Sequence, residues 1–117
     1  MAGRAALGRD GESAAASIYQ ARGYALLARN WRCPAGELDL VVARDGLLVF
    51  CEVKTRSGTA FGDGYEAVTP SKQRRLRRLA ELFSFEHRLP LESVRFDVAS
   101  VLLRSGATDV VIFEDAF

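Results

Sequence analysis

The segment from Glu37 to Thr55 constrains the fold more than any other, because two runs with period-two polar and apolar positions flank the dipeptide Asp45-Gly46. Asp-Gly supplies the left-handed backbone that a two-residue hairpin turn demands, so the runs Glu37 to Arg44 and Leu47 to Thr55 are expected to pair antiparallel. With Arg44 facing Leu47, the register sets Asp39 opposite Glu52 and Glu37 opposite Lys54. Side chains alternate across a strand, so these four share one face. The other face carries Leu38, Leu40 and Val42 against Val49, Cys51 and Val53, a core surface. Nearer the turn the charged face also becomes apolar, Val41 facing Phe50 and Ala43 facing Leu48. Charge is thereby confined to the strand ends away from the turn.

The remaining elements follow from local signals. Asp10 to about Arg22 reads as a helix with Asp10 as N-cap, Gly23 as stop, and Ala15, Ile18 and Tyr19 at helical spacing. Tyr24 to Arg32 reads as a strand, although Ala25 to Ala28 would also suit a helix. Arg56 to Tyr65 is rich in breakers and is expected to be a loop. Thr69 as N-cap and Pro70 at the first helical position open a second helix with an inward stripe of Leu76, Leu79, Ala80 and Phe83, ending before Pro90. Val94 to Leu103 and Val110 to Phe113 complete the set as strands around Ser105-Gly106. The order is αβββαβ plus one strand. A connection as long as the second helix implies a right-handed crossover to a parallel strand, and hence an α/β architecture: a mixed five-stranded sheet with helices on both faces.

The chain of 117 residues, 49% hydrophobic and 26% charged, suits a single domain spanning residues 1–117. Sixteen Lys and Arg against fifteen Asp and Glu leave a net charge of +1, which excludes a general nucleic-acid-binding field and requires any such affinity to be local. Cys33 and Cys51 have neither the spacing nor a neighbouring His for a zinc site. No apolar run reaches signal-peptide or membrane-spanning length, so a cytoplasmic protein without a membrane partner is expected.

Two facing carboxylates with β-carbons about 5 Å apart destabilise a sheet unless something neutralises them. A hard divalent cation with oxygen ligands would do so, and with Lys54 on the same face the set could polarise a phosphate and activate water. The competing interpretation is a surface ion pair between Glu37 and Lys54 beside two solvated acids; spacing alone leaves both open. A local basic cluster does exist in Lys72, Arg74, Arg75, Arg77 and Arg78, five cations within seven residues at the start of the second helix. With Arg56 beyond the third strand, they are candidates for phosphate contacts, a solvated basic face being the alternative. Trp31 is expected to be a packing anchor rather than a base-stacking platform. His87 is expected at the surface, and Asp97, lacking a neighbouring Glu-x-Lys, is placed outside the site. Phe61 and Tyr65 would suit a lid or a dimer contact, which leaves a homodimer open.

Asp39, twelve intervening residues and then Glu52-Val53-Lys54 resembles the PD-(D/E)xK nuclease signature. More narrowly, Gly11-Glu12, Asn30-Trp31-Arg32, Gly36-Glu37-Leu38-Asp39-Leu40, Phe50-Cys51-Glu52-Val53-Lys54-Thr55-Arg56 and Ala67-Val68-Thr69-Pro70 resemble the small YraN-like family, from about Gly8 to Val98. That resemblance implies a restriction-endonuclease-like core and phosphodiester hydrolysis on DNA, ahead of RNA, with branched or structured DNA as a candidate substrate. It implies Mg²⁺ or Mn²⁺ held by Asp39, Glu52 and the Val53 carbonyl, with Lys54 as the catalytic amine. Similar Holliday-junction resolvases add a glutamate from the first helix, here Glu12, and many similar enzymes place a glutamine on the second, here Gln73. Glu37 would stand behind the ligands. Leu38 replaces the signature's proline. The alternative activity is a non-catalytic nucleic-acid-binding module or an interaction subunit with the same fold.

Overall fold

The computed structural model describes residues 4–57, 68–90 and 93–117, and side chains from residue 11 onward except that of residue 57. The elements are α1 (Arg4–Ala21), β1 (Ala25–Cys33), β2 (Gly36–Arg44), β3 (Leu47–Ser57), α2 (Pro70–Glu86), β4 (Val94–Arg104) and β5 (Ala107–Phe113). The five strands form one sheet in the order β1-β2-β3-β4-β5. All neighbours are antiparallel except β3 and β4, whose parallel pairing runs from Leu48 with Val94 to Ser57 with Leu103. The chain therefore has the α/β architecture expected of a restriction-endonuclease-like αβββαβ core.

Each helix covers one face. Ala15, Ala16 and Tyr19 of α1 pack with Leu40, Val42, Val49 and Cys51. Leu76, Leu79 and Phe83 of α2 pack with Val41, Leu48, Phe50 and Phe96 on the other side. Thr69 caps α2 by accepting a hydrogen bond from the Lys72 N–H, with Pro70 behind it. Asp45 and Gly46 both have positive φ, +50° and +80°, as the hairpin turn requires.

Four expectations are corrected. The first helix begins at Arg4, so Asp10 lies inside it rather than capping it; Arg4-Ala5-Ala6-Leu7 are strong helix formers that carry the helix outward. Arg56 and Ser57 belong to β3 rather than to a loop, because the parallel β4 partner continues opposite them. β5 begins at Ala107, not Val110, with the whole segment paired to β4. Leu38 joins the α2-side core, not the face of Leu40 and Val42. The breaker-rich segment with Phe61 and Tyr65 lies largely in residues 58–67, outside the described residues.

Leu38 changes face where the ladders on both sides of β2 are interrupted at Asp39, away from the β1–β2 register shift between Leu26 and Ala28. The β1–β2 register pairs Arg29 with Leu40 and Trp31 with Leu38, skipping Asn30 and Asp39 between them. Asn30 has φ +51°, a left-handed conformation that Asn adopts more readily than most residues. On the other side of β2, the register with β3 runs from Arg44–Leu47 to Leu40–Cys51 and stops before Asp39. The expected cross-strand pairs of Asp39 with Glu52 and Glu37 with Lys54 are consequently absent from the ladder.

A carboxylate cluster between two helices

Where the β2–β3 ladder ends, the Asp39 side chain takes over a backbone role. Its Oδ2 accepts a hydrogen bond from the Val53 N–H at 2.8 Å, the kind of bond that a carbonyl of β2 would otherwise make. The carboxylate is thus held at the opening between β2 and β3. Glu12 reaches it from α1. That approach depends on Gly11, where a Cβ would lie 1.9 Å from Thr55 Oγ1 on β3, so only glycine lets the helix sit this close to the sheet.

Carboxylate oxygens of Glu12, Glu37 and Asp39 lie within 4.8 Å of one another. Glu12 is buried, at 8% exposure. Asn30 holds part of the group together: with its amide turned to satisfy both neighbours, its nitrogen donates to Glu12 at 2.5 and 3.1 Å and to Glu37 at 2.9 Å. Glu37 also pairs with Arg32 at 3.4 Å, not with Lys54.

Crowded acids in a half-buried place resist ionising. Burial first, then the charge of Glu52, push Asp39 up to about 7 against the Val53 hydrogen bond, with Glu12 and Glu37 adding to the rise. Glu12 is also raised, chiefly by burial; the nearby Arg29 charge opposes this. Three hard oxygen donors that repel one another in the absence of a cation fit a divalent ion of the magnesium class.

Glu52 stands beside this cluster with cations on it. Lys72 Nζ lies 2.8 Å from Glu52 Oε1, and Lys54 Nζ lies 3.6 Å from the same oxygen. Burial lowers the Lys54 pKa, and a hydrogen bond from Lys72 lowers it further, against the attraction of Glu52. Burial also works against the charge of Lys72, but hydrogen bonds to Glu52 and Lys54 outweigh it and leave Lys72 raised. Of the two amines, Lys54 is the one poised to give up a proton. A cleft of about 220 Å³ opens over the group, lined by Gly36, Glu37, Asp39, Glu52, Lys72 and Arg75 among others.

The structure thus gathers Glu12, Glu37, Asp39, Glu52 and Lys54, with Val53 bonded to Asp39 through its N–H. It moves Glu37 from behind the ligands into the cluster itself. Gln73 turns elsewhere, its amide donating to the Val68 carbonyl at 3.1 Å; Lys72, assigned with the phosphate contacts, is the α2 side chain that reaches Glu52. The rest of the basic run divides. Arg74 and Arg75 are exposed, Arg77 lies 4.8 Å over the Phe96 ring, and Arg78 pairs with Glu81 at 3.3 Å. Arg56 is half-buried on β3. Asn30 was missed as a site residue, though an Asn inside a strand pattern, where that residue is depleted, was the available signal.

The residues left outside the site have structural work. Trp31 packs edge-on against Phe83 at 5.4 Å and donates to Glu86, and His87 stacks on Phe83 at 4.0 Å. Asp97 is fully buried and accepts from Tyr19, Arg95 and the Asp115 N–H. Among the described residues no helix is long and apolar enough to cross a membrane.

With Gly11, Asn30, Asp39 and the Glu52–Lys54 strand in place, comparison with known proteins is decisive. The model described as Uncharacterised protein family UPF0102 matches residues 11–101. The chain belongs to this family. It is the YraN-like group whose motifs the sequence carries. The UPF0102 protein of Frankia alni is 57% identical over 102 residues, covering 86% of this chain and 84% of that protein. The UPF0102 protein of a Parafrankia strain is 53% identical over 112 residues, covering 95% of both, and that of Streptomyces griseus is 52% identical over 110, covering 92% of both. Family membership and the carboxylate cluster together support a nuclease-like role.

Proposed function

We propose that this chain is a metal-dependent nuclease that hydrolyses phosphodiester bonds in DNA, with branched or otherwise structured DNA as the candidate substrate. The observation that carries the reading is the approach of Glu12, Glu37 and Asp39 within 4.8 Å of one another, next to Glu52 and the amine of Lys54. A protein that only bound a phosphate backbone would gain nothing from acids crowded where the phosphate must come.

Asp39, Glu12 and Glu52 would hold Mg²⁺ or Mn²⁺, with Glu37 beside them and the Val53 carbonyl as a further oxygen. The ion, when bound, supplies Lewis acidity toward a phosphodiester oxygen and toward water. Val53 fixes the orientation of the Asp39 carboxylate through its N–H, and Asn30 fixes those of Glu12 and Glu37. Lys54, its pKa lowered, is suited to take a proton from an attacking water or, charged, to stabilise the phosphate as negative charge builds. Arg75, exposed and lining the cleft, and the exposed Arg74 next to it in sequence are suited to the backbone flanking the reacting bond.

The test is a cleavage assay over single-stranded, duplex, flap and four-way DNA with Mg²⁺, Mn²⁺ or chelator, beside Glu52→Gln. Metal-dependent cleavage lost in the variant is expected. DNA binding without cleavage under any metal would instead support the non-catalytic binding module.

A further inference from the structure

The amine that touches Glu52 most closely is not the one in the Glu-x-Lys motif. Lys72 enters from the first turn of α2, its N–H anchored on Thr69 Oγ1 at 3.2 Å, and sets its Nζ 2.8 Å from Glu52 Oε1. Lys54, two residues away on the same strand, is farther from that oxygen at 3.6 Å. The Glu52 side chain is only 10% exposed and the Lys72 side chain 24%, so this contact is shielded from solvent to a degree that surface ion pairs are not. The rest of the basic run does not repeat it: Arg74 and Arg75 are exposed, Arg77 lies over Phe96, and Arg78 pairs within its own helix.

Four carboxylates converge here: the Glu12, Glu37 and Asp39 cluster, and Glu52, whose charge acts on Asp39. A fold that gathers them needs a cation, and in this arrangement the ammonium of Lys72 is the one closer to Glu52 Oε1, at 2.8 Å against 3.6 Å for Lys54. We infer that Lys72 is a built-in counter-ion of the metal-free site, which occupies the Glu52 oxygen that the proposed divalent ion would need and must be displaced for the ion to bind. This rests on the metal-dependent reading above and assigns a distinct role within it. Lys72 lowers the protein's affinity for metal while stabilising the empty fold. Once displaced, its ammonium remains in the cleft that Arg75 also lines, among groups open to an incoming phosphate.

A residue that merely supported the fold, or merely oriented Glu52 for the ion, would behave differently. Its removal would weaken metal binding along with stability. Displacement predicts opposite signs, because deleting the ammonium removes both a competitor and a like charge close to the ion.

Calorimetric titration of Mn²⁺ into wild type, Lys72→Met, Lys72→Arg and Asp39→Asn, each with a metal-free thermal melt, tests this. Lys72→Met should bind Mn²⁺ about tenfold more tightly than wild type while melting lower without metal. Lys72→Arg, which keeps the charge, should stay close to wild type in both. Unchanged or weaker Mn²⁺ binding by a folded Lys72→Met would overturn the counter-ion role while wild-type binding, lost in Asp39→Asn, kept the metal site itself intact. No Mn²⁺ binding by wild type or by Lys72→Met would overturn both.

Discussion

Two carboxylates lie on strands of the same sheet that β3 separates, and their surroundings are opposite. Asp97 on β4 is 0% exposed and has every need met: Arg95 donates at 2.8 and 2.9 Å, the Tyr19 hydroxyl at 2.6 Å and the Asp115 N–H at 3.0 Å. Asp39, at the end of the β2–β3 ladder, accepts from the Val53 N–H and otherwise faces Glu52, Glu12 and Glu37. One acid is surrounded by donors and a cation, the other by acids. Buried charge that serves the fold is paired, because an unpaired one costs several kcal/mol. Charge kept among like charges serves something that the fold alone does not contain.

If that contrast is sound, removing Asp97 should do the greatest damage to stability and none specific to metal. Asp97→Ala leaves the Arg95 guanidinium and the Tyr19 hydroxyl without their acceptor, and should cost about 3–5 kcal/mol in urea or thermal unfolding. Added Mg²⁺ or Mn²⁺ should raise the melting temperature of whatever folded variant remains by the same increment as in wild type. A variant that melts within a degree or two of wild type would break the comparison.

The converse belongs to the other site. Glu52→Gln and Lys54→Met should each lower cleavage by about a hundredfold or more, since the proposed function puts both groups at the reacting phosphate, while duplex binding measured by anisotropy stays within about threefold. Full cleavage in either purified variant would remove that residue from the chemistry.

Asp39 offers a subtler and more discriminating measurement. Its carboxyl, near 3.8 in the unfolded chain, rises to about 7 on folding. The folded state therefore holds a proton that the unfolded chain releases, a contribution fully present below about pH 3.8 and gone above about pH 7. With chelator present, this group makes stability fall as pH rises through that window. Asp39→Asn should flatten the slope and leave the metal-free protein at pH 7.5 as stable as wild type or more so. Metal added at millimolar concentration should raise the wild-type melting temperature by a few degrees and the variant's by little. Equal shifts in both would show that Asp39 is not a ligand.

The smallest effects are expected on the α2 surface. Arg74→Ala with Arg75→Ala should weaken DNA binding across sequences and reduce the salt slope by about one unit per lost contact. Arg77→Ala with Arg78→Ala should change it less, because Arg77 lies over Phe96 and Arg78 is engaged by Glu81. The reverse order would move the nucleic-acid surface toward the end of the helix.

Locally encoded features were legible in the amino-acid sequence. Asp45-Gly46 specified the hairpin turn, Thr69-Pro70 the start of α2, and the long connection the parallel β3–β4 pair, because turn chemistry, capping and apolar period act over a few residues. The spacing of Asp39, Glu52 and Lys54 marked where charge would collect, and Gly11-Glu12 pointed to the helix that joins them. Contacts between distant segments decided the rest. Perfect alternation would have faced Asp39 with Glu52 and put Leu38 with Leu40, but a left-handed Asn30 and the bond from Val53 to Asp39 end the ladder early, turning Leu38 to the α2 side. Glu37 entered the acidic cluster, and Lys72 left the row of candidate phosphate contacts to lie on Glu52, for the same reason. No rule of spacing along one strand or helix could place them, since each position is set by how closely α1 and α2 approach opposite sides of a sheet that opens at Asp39.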